Sequence, residues 1–171
     1  MTSSSAPGIF RILLEVRDLD QSRRFYESLL GTRGRAVGGG RVYFDCGRTI
    51  LAILSPSLDD SARIRPAPEP VYFSTRDLPE VYRRARRLGC LSQERIHGED
   101  PAGEIRVRPW GERSFYASDP SGNPLCFVDS RTRFTGTARQ IAALDRVAAP
   151  SDPRQNARAR SARPVDRPLR N

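Results

Sequence analysis

Few side chains in this sequence are suited to chemistry, and their spacing limits what they could do. His97 is the only histidine. Its ordinary pKa lies near neutrality, which suits a general base, but it sits in a Gly- and Pro-rich stretch where a solvent-exposed loop histidine is the plainer reading. Cys46, Cys90 and Cys126 are odd in number and lack the close pairs of a metal clamp, so neither a disulfide framework nor a structural zinc is indicated. Cys126 is a candidate nucleophile if Arg11 lowers its pKa; a buried, inert thiol is the competing reading. Glu15 and Tyr116 complete the acid, base and nucleophile candidates. Trp110 and Tyr116 could stack on a planar ligand, or pack in a core or interface. The run Arg83-Arg84 and Arg86-Arg87 reads as the solvated face of a helix, because no aromatic residues interleave it as in a nucleic-acid groove.

The elements that must position these residues come from an internal repeat. RILLEVRDLDQSRRFYESLLG (11–31) aligns with PVYFSTRDLPEVYRRARRLGC (70–90), so that Asp18 falls on Asp77, Arg24 on Arg83 and Leu29 on Leu88. In each copy an extended apolar stretch leads to an Asp and then to a helical pattern. Asp18 and Asp77 are placed as N-caps, with Gln21 and Glu80 three residues on in capping-box position. After the first helix, strands are expected near Arg35–Val37, Val42–Cys46 and Thr49–Leu54. After the second, they are expected at Leu91–Ile96, Glu112–Ala117 and Pro124–Asp129, with a mobile flap or long hairpin over 97–108. Each copy is thus strand, helix, three strands.

Alternation along the first strand puts Ile12, Leu14 and Val16 on one face, toward the helix, and Arg11, Leu13 and Glu15 on the other. In the matching strand Val71, Phe73 and Thr75 take the helix side, leaving Pro70, Tyr72 and Ser74 opposite. Two sheets curled so that these second faces look at each other would enclose a cleft suited to a small molecule. An ordinary surface ion pair of Arg11 with Glu15 on an exposed sheet face is the alternative.

Composition narrows the partners. The 171 residues carry a net charge of +9, but unevenly: 1–130 hold 19 Arg against 17 Asp and Glu, and 131–171 hold 10 Arg against three Asp. The globular part is nearly neutral, so nucleic acid is expected at most weakly, through the tail. No basic start, secretory apolar run or membrane-length segment is present, so a cytoplasmic protein without a membrane partner is expected. The expected organisation is a flexible N-terminus (1–8), one domain (9–130) of two modules at about 9–55 and 69–129 joined by a linker (56–68), a short helical extension (131–149), and an Arg- and Pro-rich tail (150–171) too poor in apolar residues to order itself.

The blocks ILLEVRDLDQSRRFY, VYFSTRDLPEVYRRA and PWGERSFYASDPSGNPLCFVD together resemble the vicinal oxygen chelate superfamily, which holds glyoxalases, bleomycin-resistance proteins and extradiol dioxygenases. The closing block is most similar to the bleomycin-resistance branch. The resemblance covers roughly Ile9 to Asp129. It implies an α+β fold of two βαβββ modules whose curved mixed sheets form a barrel-like bowl, within one chain or across a homodimer, with the ligand in the bowl. Enzymes of the family hold a divalent metal through His or Glu on the first and last strands of each module. Those positions here carry Arg11, Ala52, Pro70 and Cys126. Arg cannot give up its proton, Ala has no donor, Pro offers only a carbonyl, and one thiol does not make a site.

No metal and no other cofactor is therefore expected. The leading expectation is a metal-independent protein that binds a planar or aromatic compound, possibly an antibiotic, through Arg11, Leu13, Glu15, Tyr72, Ser74, Trp110, Tyr116 and Cys126, and that forms a homodimer. The alternatives are an enzyme of this fold with a displaced or absent metal site, using Glu15, His97, Tyr116 or Cys126, and a nucleic-acid-associated protein acting through the tail.

Overall fold

The computed structural model describes residues 6–56, 64–96 and 99–148, the side chains of 146–148 excepted. His97, much of the linker 56–68 and the tail 150–171 lie outside the described residues. Contacts divide the chain into a unit ending at Phe134 and a second beginning at Thr135.

In the first unit, module 1 runs β1 (Arg11–Glu15), α1 (Leu19–Leu30), β2 (Arg35–Gly38), β3 (Arg41–Cys46) and β4 (Thr49–Leu54). Its sheet has the order β1-β4-β3-β2: β1 lies parallel to β4, with Leu13 opposite Ala52, and the other pairs are antiparallel. The Asp18 carboxylate accepts from the amide of Gln21 at 2.8 Å, and Gly31 ends α1 in the left-handed region. Gly38, Gly39 and Gly40 all have positive φ, so the β2–β3 turn takes a backbone path that only glycine follows without strain.

Module 2 runs β5 (Val71–Thr75), α2 (Leu78–Arg87), β6 (Arg95–Ile96), β7 (Asp100–Pro101), β8 (Arg106–Val107), β9 (Arg113–Ser118) and β10 (Pro124–Asp129). Asp77 caps α2 by accepting from the Glu80 amide at 3.0 Å, while the Glu80 side chain turns outward to Arg83 and Arg84. The sheet order β5-β10-β9-β8 repeats that of module 1, with β5 parallel to β10. The place of β2 is taken by the two-residue β8, which corrects the expected strand at Leu91–Ile96. Leu91 makes only an isolated bridge to Ala117, and Arg95–Ile96 folds back on β7 as a short hairpin. The outer edge of β9 explains this: Cys90, Ser92 and Ala102 take its backbone partners toward one end and β8 those at the other, leaving no length for a continuous strand.

The helix-facing residues of both modules share one core, including Leu14, Val16, Phe44 and Ile53 of the first sheet and Phe115, Leu125 and Phe127 of the second, with Tyr26, Leu29, Leu78 and Ala85 from the helices. The expected alternation therefore holds in β1. Among the described residues no ladder joins the two sheets, so the bowl is not a closed barrel. The Asp119–Asn123 turn fastens the modules. The buried Asp119 carboxylate accepts from Tyr26 Oη at 2.9 Å and from the amides of Ser121 and Asn123. Asn123 Nδ2 donates to the Glu15 carbonyl at 2.9 Å, and Ser121 Oγ accepts from the Arg17 amide at 3.0 Å.

The second unit contains α3 (Ala138–Ala148), within the expected helical extension 131–149. Its start is tied by Gln140 Oε1, which accepts from the amides of Thr135 and Thr137.

Candidate functional site

The sheet faces turned away from the shared core carry most of the residues singled out from the sequence. On the first sheet, Arg11 donates to the Tyr43 hydroxyl, and its guanidinium lies 4.9 Å from the ring centroids of both Phe10 and Tyr43. Beside it Leu13 is 50% exposed. Glu15 does not pair with Arg11: its carboxylate accepts from the Arg65 amide at 2.8 Å and so holds the linker.

On the second sheet, Cys126 lies between Tyr72 on β5 and Tyr116 on β9. The two tyrosines meet edge-on with centroids 6.5 Å apart and hydroxyls 3.4 Å apart. Tyr72 is 56% exposed, whereas Cys126 is wholly buried. Burial pushes the Cys126 thiol up to about 12, and burial together with the Tyr72 hydroxyl raises Tyr116 far above the ordinary phenol range. Neither is poised to act as a nucleophile or base near neutrality, and Cys126 does not line an open cleft as expected.

What covers Cys126 and Tyr116 is a feature that residue type alone conceals. Arg108 is 1% exposed. Its guanidinium pairs with Asp100 on β7 at 2.7 Å, donates to Ser114 Oγ and to the carbonyls of Ala102, Glu104 and Ser114 at 3.1 Å, and lies 5.3 Å over the Tyr116 ring. With its donors satisfied in this way, the arginine can stay buried, and it pins residues 100–104 across the sheet. Trp110 is held in the adjoining turn, where its indole N–H donates to Glu112 at 2.7 Å.

Two cavities are relevant. One of about 430 Å³ opens where the modules meet, lined by Ile12, Ile50 and Leu51 on one side and by Val71, Tyr72, Phe73, Ser74 and Phe127 on the other. It brings in Tyr72 and Ser74 but not Arg11, Leu13 or Glu15, because the two sheets meet through their helix-facing sides and the Arg11 face looks to solvent. The expected cleft between Arg11 and Tyr72 is therefore not formed within the described chain. The other cavity, of about 370 Å³, lies between the linker, residues Ser92, Glu94, Ile96 and Ala102, and the second sheet, with Tyr116 on its wall.

The family's metal positions do not fit a divalent cation. The Arg11 guanidinium is engaged with Tyr43, Ala52 is buried and donorless, Pro70 has only its carbonyl, and Cys126 is a single buried thiol. Among the described residues no three His, Cys, Asp or Glu side chains come together as a cation site.

Residues 8–127 match the family model for the Glyoxalase/Bleomycin resistance protein/Dioxygenase superfamily, and the chain belongs to that superfamily. Among solved structures it is similar to an oxidase, ChaP-H2 (20% identical, 77% of this chain and 98% of that one, TM-score 0.56). It is also similar to a bleomycin resistance determinant encoded on the transposon Tn5 (25% identical, 72% and 98%, TM-score 0.52), and to a lactoylglutathione lyase from Agrobacterium tumefaciens (22% identical, 74% and 96%, TM-score 0.51). No curated protein matches the chain. No helix among the described residues is long and apolar enough to cross a membrane.

Proposed function

We propose that this is a metal-independent small-molecule-binding protein of the cytoplasm, which takes a planar or aromatic compound such as an antibiotic and sequesters it. The observation that carries this reading is the Arg11 cluster. A permanent cation rests against two aromatic rings beside a half-exposed leucine, on an open sheet face where metal enzymes of the family would supply donors. Such a face offers a flat apolar surface and a guanidinium for an anionic or hydrogen-bond-accepting group. The likeness to a bleomycin resistance determinant supports a binding role, and burial of Cys126 and Tyr116 disfavours their use as nucleophile or base near neutrality.

The working unit is a homodimer. Phe10, Leu13 and Tyr72 are exposed large apolar or aromatic side chains in the single chain, and a second copy would cover them while closing the Arg11, Leu13 and Glu15 face against Tyr72, Ser74 and the Trp110 turn. Light scattering should give twice the chain mass; a monomer at micromolar concentration argues against it. Binding is tested by calorimetric titration of planar antibiotics and aromatic acids into wild type and Arg11→Met. The variant should bind more weakly by about 1.5–3 kcal/mol, the range for a charge-assisted hydrogen bond. Equal affinities would remove Arg11 from the site.

A further inference from the structure

The cavity between the linker and the β6–β7 hairpin has a charge pattern unlike the rest of the first unit. Glu69 and Glu94 are its charged lining residues, set among Pro70, Ile96, Tyr116 and Pro124. In a chain so rich in arginine, almost every described carboxylate from 6 to 134 is engaged: Asp45 with Arg35, Asp100 with Arg108, Glu104 with Arg106, Asp129 with Arg131, and Asp18 and Asp77 with helix amides. The side chains of Asp20, Glu69 and Glu94 have no such partner, and two of these three line one cavity. The wall bearing Glu94 and Ile96 is fixed, because Arg108 holds β7 and the Ala102 carbonyl from beneath and the Ala102 amide donates to the Glu94 carbonyl at 2.9 Å. The opposite wall is fixed through the linker, where the Ala67 amide donates to Asn123 Oδ1 at 2.8 Å.

We propose that this cavity binds a small organic cation, with an amine or amidine group between Glu69 and Glu94 and an apolar body against Ile96, Tyr116 and the two prolines. A volume of about 370 Å³ lies at the lower end of the range for small-molecule sites, which suits a mono- to tricyclic amine. On a nearly neutral domain, unpaired carboxylates at the rim supply the local attraction that such a ligand needs. The site goes beyond the binding role proposed above. All its walls come from one chain, and it needs neither Arg11 nor a second subunit.

The test uses two planar tricyclic probes of opposite charge, proflavine as the cation and anthracene-9-carboxylate as the anion, titrated by fluorescence into the full chain. Proflavine should bind wild type and Arg11→Met alike, and bind the double variant Glu69→Gln, Glu94→Gln roughly tenfold more weakly, since two rim carboxylates each contribute modestly. Added salt should narrow that gap. Both glutamates are exposed and lack ion pairs, so the glutamines leave the fold intact. Ser118→Trp, at an exposed position on the same wall, should fill the cavity and abolish binding even if the charges matter less. Equal proflavine affinity in wild type, the double variant and Ser118→Trp would overturn the proposal. So would a loss confined to Arg11→Met, which would assign the dye to the Arg11 face instead. Tighter binding of the anion than of the cation at this cavity would also overturn it.

Discussion

The two modules share one plan and treat their outward faces in opposite ways. In module 1 the β2 edge is one four-residue strand with a register shift between Ala36 and Gly38, and the face beyond it is open, with Arg11 lying over Tyr43 in contact with solvent. In module 2 the equivalent edge is broken into short pieces, and the chain released from it forms a hairpin that covers the face and buries Arg108 and Cys126. The repeated residues, Asp18 with Asp77 and Leu29 with Leu88, specify the helices and their packing. Divergence is concentrated at one strand position, and there it decides whether a face can meet a ligand. A duplicated fold can therefore keep its framework while its two halves take up different work.

The sharpest way to break the comparison is to treat the two arginines alike. Arg108→Met should cost about 3–5 kcal/mol in denaturant unfolding, because Asp100 loses its buried partner and several carbonyls lose their donor. Arg11→Met should change stability by less than about 0.5 kcal/mol, as surface substitutions usually do. Similar losses would mean that the two faces are equally buried in solution. Next in size is the link between modules: Tyr26→Phe removes a buried hydrogen bond to the Asp119 carboxylate and should cost about 1.5–3 kcal/mol by the same measurement.

The covered thiols give a pH-dependent version of the contrast. Burial raises Cys126 to about 12 and Cys90 to about 11 in the folded chain. A raised folded pKa means that the folded state holds protons which the unfolded chain releases near its ordinary value. Stability from this source is thus complete below about pH 8.5 and is lost as pH rises toward 11 to 12, with a slope of at most about 1.4 kcal/mol per unit for the buried Cys126 and less for the half-buried Cys90. Unfolding measured from pH 8 to 11 should show the decline, and Cys126→Ala should flatten it. An unchanged slope in that variant would mean that Cys126 is open to solvent. A smaller loss sharpens the likeness instead: Asp18→Ala and Asp77→Ala should each cost about 1 kcal/mol, because the two caps make the same bond to the third helical amide.

Much of the framework was legible in the sequence because it is written in local patterns. Asp caps followed by 3.6-residue periodicity fix the helices, and period-two alternation in 11–16 fixes which face of β1 is buried. The 91–112 segment was not legible, since strands of two residues are too short to show a period and their pairing depends on which stretch of the β9 edge is left free. Arg108 was overlooked for a related reason. An arginine between Val107 and Pro109 reads as surface, and only the folded convergence of the Ala102, Glu104 and Ser114 carbonyls with Asp100 makes burial tolerable. For the candidate site, alternation correctly assigned Arg11 and Leu13 to the face opposite the helix. It could not say that the two sheets meet through their other faces, which turns Arg11 to solvent and puts Ile12 on the cavity between modules. Glu69 follows directly on the Pro-rich linker, where its lack of an ion pair leaves no signal.

The Asp119–Asn123 turn has a consequence for the order in which the chain acquires its structure. It bonds Tyr26 across 93 positions, Arg17 across 104 and Glu15 across 108, so it is among the most non-local contacts in the first unit and closes its largest loops. On the ribosome, module 1 emerges with half of a core whose other half, Phe115 to Phe127, has yet to be made. Until the turn is synthesised, Leu14, Phe44 and Ile53 have no complete partner surface. Contacts of such sequence separation form late in folding as a rule, and apolar surface left exposed before they close favours aggregation.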